Sequence, residues 1–460
     1  MAERSYDCIV IGSGPGGYVA AIRAAQLGMK TAVVEKESVG GRCLNEACIP
    51  AKAVLRVADV MQEVGEAKGF GITVGEVEFD FGGATRHRDK VVKTLTGGVA
   101  MLFEKNEIDV IEGFGVVTDD GNVKVGGSFD ASEIEAKTVI LACGSIAKPV
   151  AGLSFGGRIL DTAAMWLIDD QPKKLAVIGA GASGTEVASA FGRLGTEVLL
   201  LEALDQILPL EDPEIAKACA REIAKQNVQI VTGASVSDVQ DSGDAVRITV
   251  GGESYEVDYL CIAAGRGADV EGLGLDEAGI ELDGNGLIEV DGAMHTSKEG
   301  VYAIGDLVHG PALAHKASDE GVIAAEDAAG MVTHPIDYPY VPRVTFCMPQ
   351  VASFGLTEAQ ARAAGHDVVV GKVPMGAVGA PTVYGDRSGM VKIIGDRTWG
   401  EIVGGHIVAP KAAELIEELV IARGLEGGYA EVAHSIHPHP AFAEAVLEAA
   451  RATDGWLIHG

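Results

Sequence analysis

The chain has 460 residues, 47% of them hydrophobic, with 36 basic residues against 66 acidic ones and a formal charge of −30. That length exceeds one ordinary core and predicts about two to four domains, and the charge excludes nucleic acid and anionic membranes as partners, since both would be repelled. No apolar run reaches the about 18 residues of a membrane span, and the N-terminus MAERSYDCIVIGSG does not read as a secretion signal, so a cytoplasmic protein is expected, in which a lasting structural disulfide is unusual.

The first stretch, YDCIVIGSGPGGYVAAIRAAQLGMKTAVVEK, reads as strand, glycine turn, helix and strand. Its turn carries Gly12, Gly14 and Gly17 as GxGxxG, and its second strand ends in Glu35. In a dinucleotide fold the first glycine makes the turn, the second admits a pyrophosphate to the backbone, and the third lets helix pack on strand. Helix N-terminal amides hold the phosphates, and the acid accepts a hydrogen bond from a ribose hydroxyl.

GGRCLNEACIPAK follows, with Cys43 and Cys48 close together in a chain of only seven cysteines. A metal clip, a structural staple, chance and a redox pair all compete as explanations. A regular helix would rise about 7.5 Å over five residues, whereas disulfides need Cα atoms closer than about 7 Å. The pair closes only over a distorted backbone, which suits a reducible bond better than a staple. No His or Cys cluster nearby completes four zinc ligands, so no metal is expected. Ile49 and Pro50 stiffen the backbone before Lys52, placing Lys52 near whatever the first dinucleotide presents.

KTVILACGSIAKP closes the first half, its apolar strand running into Gly144 and Ser145. AGLSFGGRILDTAAMWLIDDQPKK reads as a crossing segment. KLAVIGAGASGTEVASAFGRLGTEVLLLEA then repeats the opening plan with Gly179, Gly181, Gly184 and Glu202. The offset of 23 residues is the same in both copies, from position 12 to 35 and from 179 to 202. One GxGxxG is weak, but two in matching contexts are strong: the chain binds two dinucleotides. Glu202 favours NAD over NADP, because a 2′-phosphate needs a positive partner and LEALDQILPLED offers none.

DYLCIAAGRGADV closes the second copy at Gly265 and Arg266. GVYAIGDLVHGPALAHKASDEG places Asp306 after a short strand and before a helix, where it either caps that helix or binds a sugar or ribityl hydroxyl. From residue 341 the texture becomes mixed strands and helices without a nucleotide motif, ending in HSIHPHPAFAEAVLEAARA. There His439 and Glu444 suit a base and its orienting carboxylate: imidazole takes a thiol proton near neutrality, and a carboxylate fixes its tautomer. His437 is the competing histidine. Cys8, Cys219, Cys261 and Cys347 read as small core residues or passive thiols.

Over its whole length, from GSGPGGYVAAIRAAQLG through CLNEACIPAK, TLTGGVAMLFEKN, AIGDLVHGPALAHKASDEG and PQVASFGLTEAQA to HPHPAFAE, the chain resembles the flavin-dependent pyridine-nucleotide disulfide oxidoreductases. Within them it is most similar to members that oxidise dihydrolipoamide with NAD+. The resemblance implies an α/β chain with two Rossmann-like dinucleotide-binding domains and a C-terminal α+β dimerisation domain. The expected segments are 1–150 for FAD, 151–270 for NAD, 271–340 as a central piece completing the FAD site, and 341–460 as the interface of a homodimer.

The same resemblance implies that Glu35 holds the adenosine ribose of FAD, that Lys52 sits at the flavin ring and that Asp306 binds the ribityl chain. Gly115, Cys143, Gly144, Ser145 and the segment Ala312, Leu313, Ala314 and His315 match further FAD positions. Glu186, Glu202, Val236 and Gly265 match NAD positions. Cys43 is implied as the exchange cysteine and Cys48 as the flavin-side one, with His439 and Glu444 serving the disulfide of the other chain. The implied partner is the lipoyl domain of a 2-oxoacid dehydrogenase complex or another lipoyl carrier protein.

Arg42, Glu46, Ala47, Ala51, Cys143 and Ala441 depart from the family pattern. Arg42 should favour the Cys43 thiolate and Glu46 oppose it, so an altered redox poise or substrate preference is expected. Two rivals use the same residues differently: an NAD(P)H-dependent reductase of a small disulfide, and a flavoprotein assembly subunit with an idle disulfide. Mercuric-ion reduction is disfavoured, because the C-terminus WLIHG has no cysteine pair.

Overall fold

The structure, a computed structural model, describes residues 5–126, 132–150 and 152–460. The start of the expected crossing segment, Ala151, and the first four residues lie outside that range. The chain divides into two compact units. One gathers 1–50, 85–148 and 265–338; the other gathers 51–84, 149–264 and 339–460.

In the first unit the strand Ser5–Ile11 is central to a parallel sheet. Thr31–Glu35 and then Asp109–Glu112 lie on one side, and Ser132–Leu141 and Val301–Ala303 on the other. Because side chains alternate along a strand, Ile9 and Ile11 face one core while Cys8 and Val10 face another. The helices Pro15–Gln26 and Ala314–Ala328 cover the second face, with Ala20, Ala21, Ala24, Ala324 and Ala325 fully buried. These two helices approach closely because their contact residues are small: a Cβ on Gly321 would stand 2.6 Å from the Gly16 carbonyl oxygen. The antiparallel strands Phe114–Val117 and Val123–Gly126 pack Val117, Val123 and Val125 against the first face. Each such buried aliphatic side chain contributes about 1.5–3 kcal/mol.

The second unit contains the echo of this plan. Its parallel sheet runs Val228–Val231, Glu197–Leu201, Lys174–Ile178, Tyr259–Ile262, Ile159–Asp161. The central strand again ends opposite two neighbours: Ile178 faces Leu201 and Ile262, as Ile11 faces Val34 and Leu141. The outermost strand differs in chain order, coming first here and last in the other unit. The stretch read as a crossing segment therefore does more than cross; it supplies Ile159–Asp161 to the sheet and then the helix Thr162–Trp166. A three-stranded antiparallel meander, Val236–Asp241, Val246–Val250 and Glu253–Val257, completes the copy.

Residues beyond 341 build a five-stranded antiparallel sheet in the order Arg343–Thr345, Gln350–Gly355, Ile402–Ala409, Met390–Asp396, Val368–Pro374. The helices Ala412–Gly424, Tyr429–His434 and Glu444–Asp454 close over it around Phe354, Ile393, Ile407, Leu419 and Val446. Lys392, on this sheet, is buried among three carboxylates, with Nζ 2.9 Å from Asp212, 2.8 Å from Glu214 and 3.0 Å from Glu358. Among the described residues no helix is long and apolar enough to cross a membrane.

Candidate active site

The two glycine turns are built alike, bond for bond. The Gly12 N–H donates to the Val34 carbonyl at 2.8 Å, and the Gly179 N–H to that of Leu201 at 2.8 Å. Both glycines have positive φ, +99° and +96°. A side chain at either would strike a carbonyl oxygen, of Ala142 at 2.5 Å or of Ala263 at 2.7 Å. The third glycines are equally constrained: a Cβ on Gly17 or Gly184 would stand 1.9 Å from the carbonyl oxygen of Gly12 or Gly179.

Gly14 and Gly181 are different. Among the described residues, chain neighbours aside, nothing lies within 4 Å of a Cβ built on either, and both have ordinary negative φ. The fold itself therefore leaves the space over both turns open. Each of these glycines is the cap position of a helix, and neither helix is capped by a side chain. The amide-lined turn, the uncapped positive helix end and the open space fit a dinucleotide pyrophosphate in both copies.

The acids at the second strand ends brace these turns. Glu35 accepts the Ser13 N–H at 2.9 Å and the Ser13 hydroxyl at 2.6 Å on one oxygen, and the Glu37 N–H at 2.9 Å on the other. Glu202 accepts the Ala180 N–H at 2.8 Å and the Leu204 N–H at 3.0 Å. Both carboxylates are buried. Ala234, two residues before Val236, donates to the Glu202 carbonyl at 2.8 Å, which brings Val236 to the same strand ends.

The expected distortion around the cysteines is a break between helices. Gly41–Asn45 ends, Glu46 and Ala47 turn, and Cys48–Glu66 begins. The Asn45 amide donates back to the Val39 and Gly41 carbonyls and holds the first helix at the break. Cys43 and Cys48 form a disulfide with Cα atoms 4.8 Å apart. Cys48 is the first residue of a 19-residue helix, so its sulfur meets the positive end of the helix dipole. Lys52 lies one turn further on and is paired with Glu186, Nζ to Oε2 at 2.9 Å; Glu186 also accepts the Phe346 N–H at 2.8 Å.

Asp306 lies in the short turn Gly305–Leu307, and the next helix starts at Ala314 with Leu313 at its cap. Asp306 thus does not cap that helix, which removes one of its two readings. Its carboxylate accepts the Ser145 hydroxyl, and Ser145 Oγ in turn accepts Arg266 Nε at 2.8 Å. Gly115 packs flat on Ile11, where a Cβ would meet Ile11 Cγ2 at 2.9 Å. Gly144 and Gly265 follow strand ends with positive φ. Cys143 rests 3.6 Å from the Ile11 carbonyl, and burial pushes its thiol up to about 12.

Near the C-terminus, His439 Nδ1 lies 2.9 Å from Glu444 Oε1, with its side chain 75% exposed. Its Nε2 side is open to solvent and free to face another molecule. His437 also has a carboxylate partner, Glu418, and that hydrogen bond holds its imidazole above its ordinary range, but its side chain is only 6% exposed. The structure separates the two competing histidines by access and by bonding: both ring nitrogens of His437 are engaged, Nδ1 at the Ser435 carbonyl and Nε2 at Glu418, whereas His439 is held through Nδ1.

Three groups escaped the sequence reading. Ser13 braces Glu35, the Phe346 amide braces Glu186, and a buried pair, Lys316 and Glu320, stands beside Gly305. Ser13, Lys316 and Glu320 lay inside quoted motifs, but without a role assigned to them. The four remaining cysteines are all fully buried, and Cys219 and Cys347 touch, sulfur to sulfur, at 3.8 Å.

A family model described as pyridine nucleotide-disulphide oxidoreductase matches residues 6–321, and one described as the dimerisation domain of such proteins matches residues 341–450. The chain is 39% identical to a dihydrolipoyl dehydrogenase of Bacillus subtilis (strain 168) over 470 residues, covering 99% of each chain. It is 40% identical to that of Thermus scotoductus over 463 residues, again covering 99% of each. Among solved structures, LpdA from Mycobacterium tuberculosis matches with a TM-score of 0.91 at 27% identity, over 96% of this chain and 99% of that one. The HOCl-induced flavoprotein disulfide reductase RclA from Escherichia coli matches with a TM-score of 0.86 at 26% identity, over 97% and 99%. The doubled dinucleotide turn, the disulfide after the first copy and these matches together make the chain a member of the pyridine nucleotide-disulphide oxidoreductase family, an FAD- and NAD-using family, with that family's dimerisation domain at residues 341–450.

Proposed function

We propose that this protein is an NAD-dependent dihydrolipoyl dehydrogenase, oxidising dihydrolipoamide on a lipoyl carrier protein, and that it works as a homodimer in the cytoplasm. The observation that carries the reading is the Cys43–Cys48 disulfide at the head of the helix that carries Lys52, directly after the first dinucleotide fold. FAD is assigned to the turn Gly12, Gly14, Gly17 with Glu35, and NAD to Gly179, Gly181, Gly184 with Glu202. The segments 1–150, 151–270, 271–340 and 341–460 are read as FAD, NAD, central and interface regions.

In this mechanism His439 of one copy takes a proton from a thiol of dihydrolipoamide bound at the disulfide of the other. Its Nδ1 contact with Glu444 keeps Nε2 as the accepting atom and stabilises the imidazolium that forms. The substrate thiolate attacks Cys43 Sγ; the Cys43–Cys48 bond breaks, and its electron pair goes to the sulfur of Cys48. The second substrate thiol then attacks the substrate sulfur of the mixed disulfide, its proton passing to the leaving sulfur, which closes the lipoamide ring and releases Cys43 as a thiol. Two electrons now rest on the cysteine pair. The helix N-terminus favours the thiolate at Cys48.

When bound, FAD and NAD+ would supply the two-electron and hydride-transfer chemistry that the cysteine pair cannot carry by itself. Lys52, paired with Glu186, would be the residue that meets the flavin ring. Asp306 and the segment Ala312 to His315 hold the rest of FAD, together with Gly115, Cys143, Gly144 and Ser145. On the NAD side Glu186, Val236 and Gly265 complete the site. Glu202 selects NAD because its carboxylate would repel a 2′-phosphate.

A second reading, an NAD(P)H-driven reductase of a small disulfide, is favoured by the likeness to the disulfide reductase RclA. Steady-state turnover decides. Rapid NADH formation from dihydrolipoamide and NAD+, lost in Cys48→Ser, supports the first reading. Slow lipoamide turnover with brisk NAD(P)H-dependent disulfide reduction replaces it with the second.

A further inference from the structure

Beside Asp306 the chain buries an ion pair that no nucleotide motif explains. Lys316 and Glu320, one turn apart on Ala314–Ala328, both have side chains 0% exposed, with Nζ 3.0 Å from Oε1. Each also grips the same backbone residue. Lys316 Nζ donates to the Gly305 carbonyl at 2.7 Å, and the Gly305 N–H donates to Glu320 Oε2 at 2.7 Å. The Tyr338 hydroxyl donates to Glu320 Oε1 at 2.6 Å, and the Lys316 ammonium lies 5.6 Å from the Tyr338 ring centroid. Burial pushes the Glu320 carboxyl up, against the opposing pull of Lys316 and these donors.

A buried ion pair is a poor way merely to hold a helix, since apolar side chains of the same volume do so as well or better. What apolar side chains cannot do is bond a peptide unit. Gly305 has φ +74°, and both its N–H and its C=O are engaged by this one pair. The next residue is Asp306, whose carboxylate accepts the Ser145 hydroxyl, with Ser145 itself held by Arg266.

We infer that Lys316 and Glu320 are positioning residues for Asp306: by clamping both polar groups of Gly305 they set the direction in which the Asp306 side chain leaves the backbone, while Ser145 sets its rotation. The inference rests on the reading of Asp306 as a ligand of the FAD ribityl chain. In that reading the pair acts on flavin affinity without touching flavin.

The test compares purified holoprotein with its Glu320→Gln, Tyr338→Phe and Asp306→Asn variants and with the Asp306→Asn, Glu320→Gln double variant. Flavin release is followed by the rise in free-flavin fluorescence on dilution, the flavin environment by its visible spectrum, and folding by far-ultraviolet circular dichroism. Glu320→Gln speeds flavin release roughly tenfold and alters the spectrum, Tyr338→Phe does so about threefold, and the double variant releases flavin no faster than Asp306→Asn alone. A Glu320→Gln protein that unfolds earlier yet keeps the parental release rate and spectrum, while Asp306→Asn loses flavin quickly, overturns the inference and leaves the reading of Asp306 intact. Additive effects in the double variant also overturn it. If Asp306→Asn itself holds flavin like the parent, the reading of Asp306 falls and takes the inference with it. Should Glu320→Gln fail to fold, Tyr338→Phe, which leaves the ion pair in place, decides by the same readouts.

Discussion

Glu444 holds two things at once: one oxygen lies 2.9 Å from His439 Nδ1, and the other accepts the Ala441 N–H at 2.9 Å. The carboxylate therefore fixes both the ring and the turn that carries it. Burial would raise the Glu444 carboxyl, but the Ala441 N–H and the His439 ring together hold it below its usual range. The brace is thus complete at neutral pH and lost only as pH falls through that lowered value. Glu444→Gln should cut kcat by about 10- to 100-fold with little change in KM for NAD+, and His439→Ala by about 10²- to 10⁴-fold. Stopped-flow reduction of the disulfide by dihydrolipoamide separates these from effects on the NAD half. Unchanged rates in His439→Ala would assign the proton transfer elsewhere.

The open space over Gly14 and Gly181 yields a paired prediction. Alanine fits the protein at both positions, so neither Gly14→Ala nor Gly181→Ala should shift the unfolding midpoint of flavin-free protein by more than the about 1 kcal/mol of a helix-end substitution. Gly14→Ala should lower the flavin-to-protein ratio. Gly181→Ala should keep that ratio and raise KM for NAD+ about tenfold. A Gly181→Ala protein short of flavin but normal in KM would reverse the assignment of the two turns.

Glu202 braces its own turn through the Ala180 and Leu204 amides, so its replacement tests charge and structure together. Glu202→Gln keeps a hydrogen-bonding side chain of the same size and removes the charge that opposes a 2′-phosphate. The ratio of kcat/KM for NAD+ over NADP+ should fall about tenfold or more. An unchanged ratio would place the discrimination in another residue.

Lys392 gives a stability prediction with a definite pH course. Its hydrogen bond holds the Glu214 carboxyl down, and Arg362 and then Lys392 do the same for Glu358. Those contributions are present above the ordinary carboxylate value of 4.5 and disappear as pH falls through the lowered folded values. Burial works to lower Lys392, but its three carboxylates raise it above 10.5 overall, so its own contribution is lost only as pH rises through that raised value. Lys392→Met leaves Asp212 buried without its cation and should cost about 3–5 kcal/mol near neutrality. Urea unfolding should show the deficit shrinking below pH 4, where the carboxyls protonate. A deficit independent of pH would mean that packing, rather than charge, is what Lys392 supplies.

Most of the chemistry was legible in short stretches, because the nucleotide turns and the cysteine pair are local constraints. Gly17 and Gly184 are demanded by the carbonyl oxygens of Gly12 and Gly179 in their own turns, while Gly12 and Gly179 have positive φ and also meet the distant Ala142 and Ala263 carbonyls; the cysteines needed only a helix break of two residues. What stayed hidden depends on partners far along the chain. Val301–Ala303 joins a strand more than 150 positions earlier. The Lys392 cage is assembled from positions 212, 214 and 358. Lys316 and Glu320 were misleading in another way: a Lys and a Glu four apart on a helix usually mark a solvated face, and only the packing of Gly310 and Tyr338 against the Lys316 side chain puts them inside. The two histidines of HPHP differ in exposure and in how many ring nitrogens are engaged, which no local pattern encodes.

Burial of the spare cysteines makes the protein its own counting standard. Cys8, Cys219, Cys261 and Cys347 are sealed in cores, and burial lifts the Cys143 thiol to about 12. An alkylating reagent at neutral pH can therefore address the sulfurs of the Cys43–Cys48 bond only after that bond is opened, with the half-buried Cys143 as the one other thiol within its reach. Mass spectrometry of briefly labelled native protein should show two labels gained once the dithiol substrate is added, against seven in all in denaturant with reductant. The fraction gaining two labels then reports, molecule by molecule, how far the enzyme stands along its catalytic cycle, without any engineered probe.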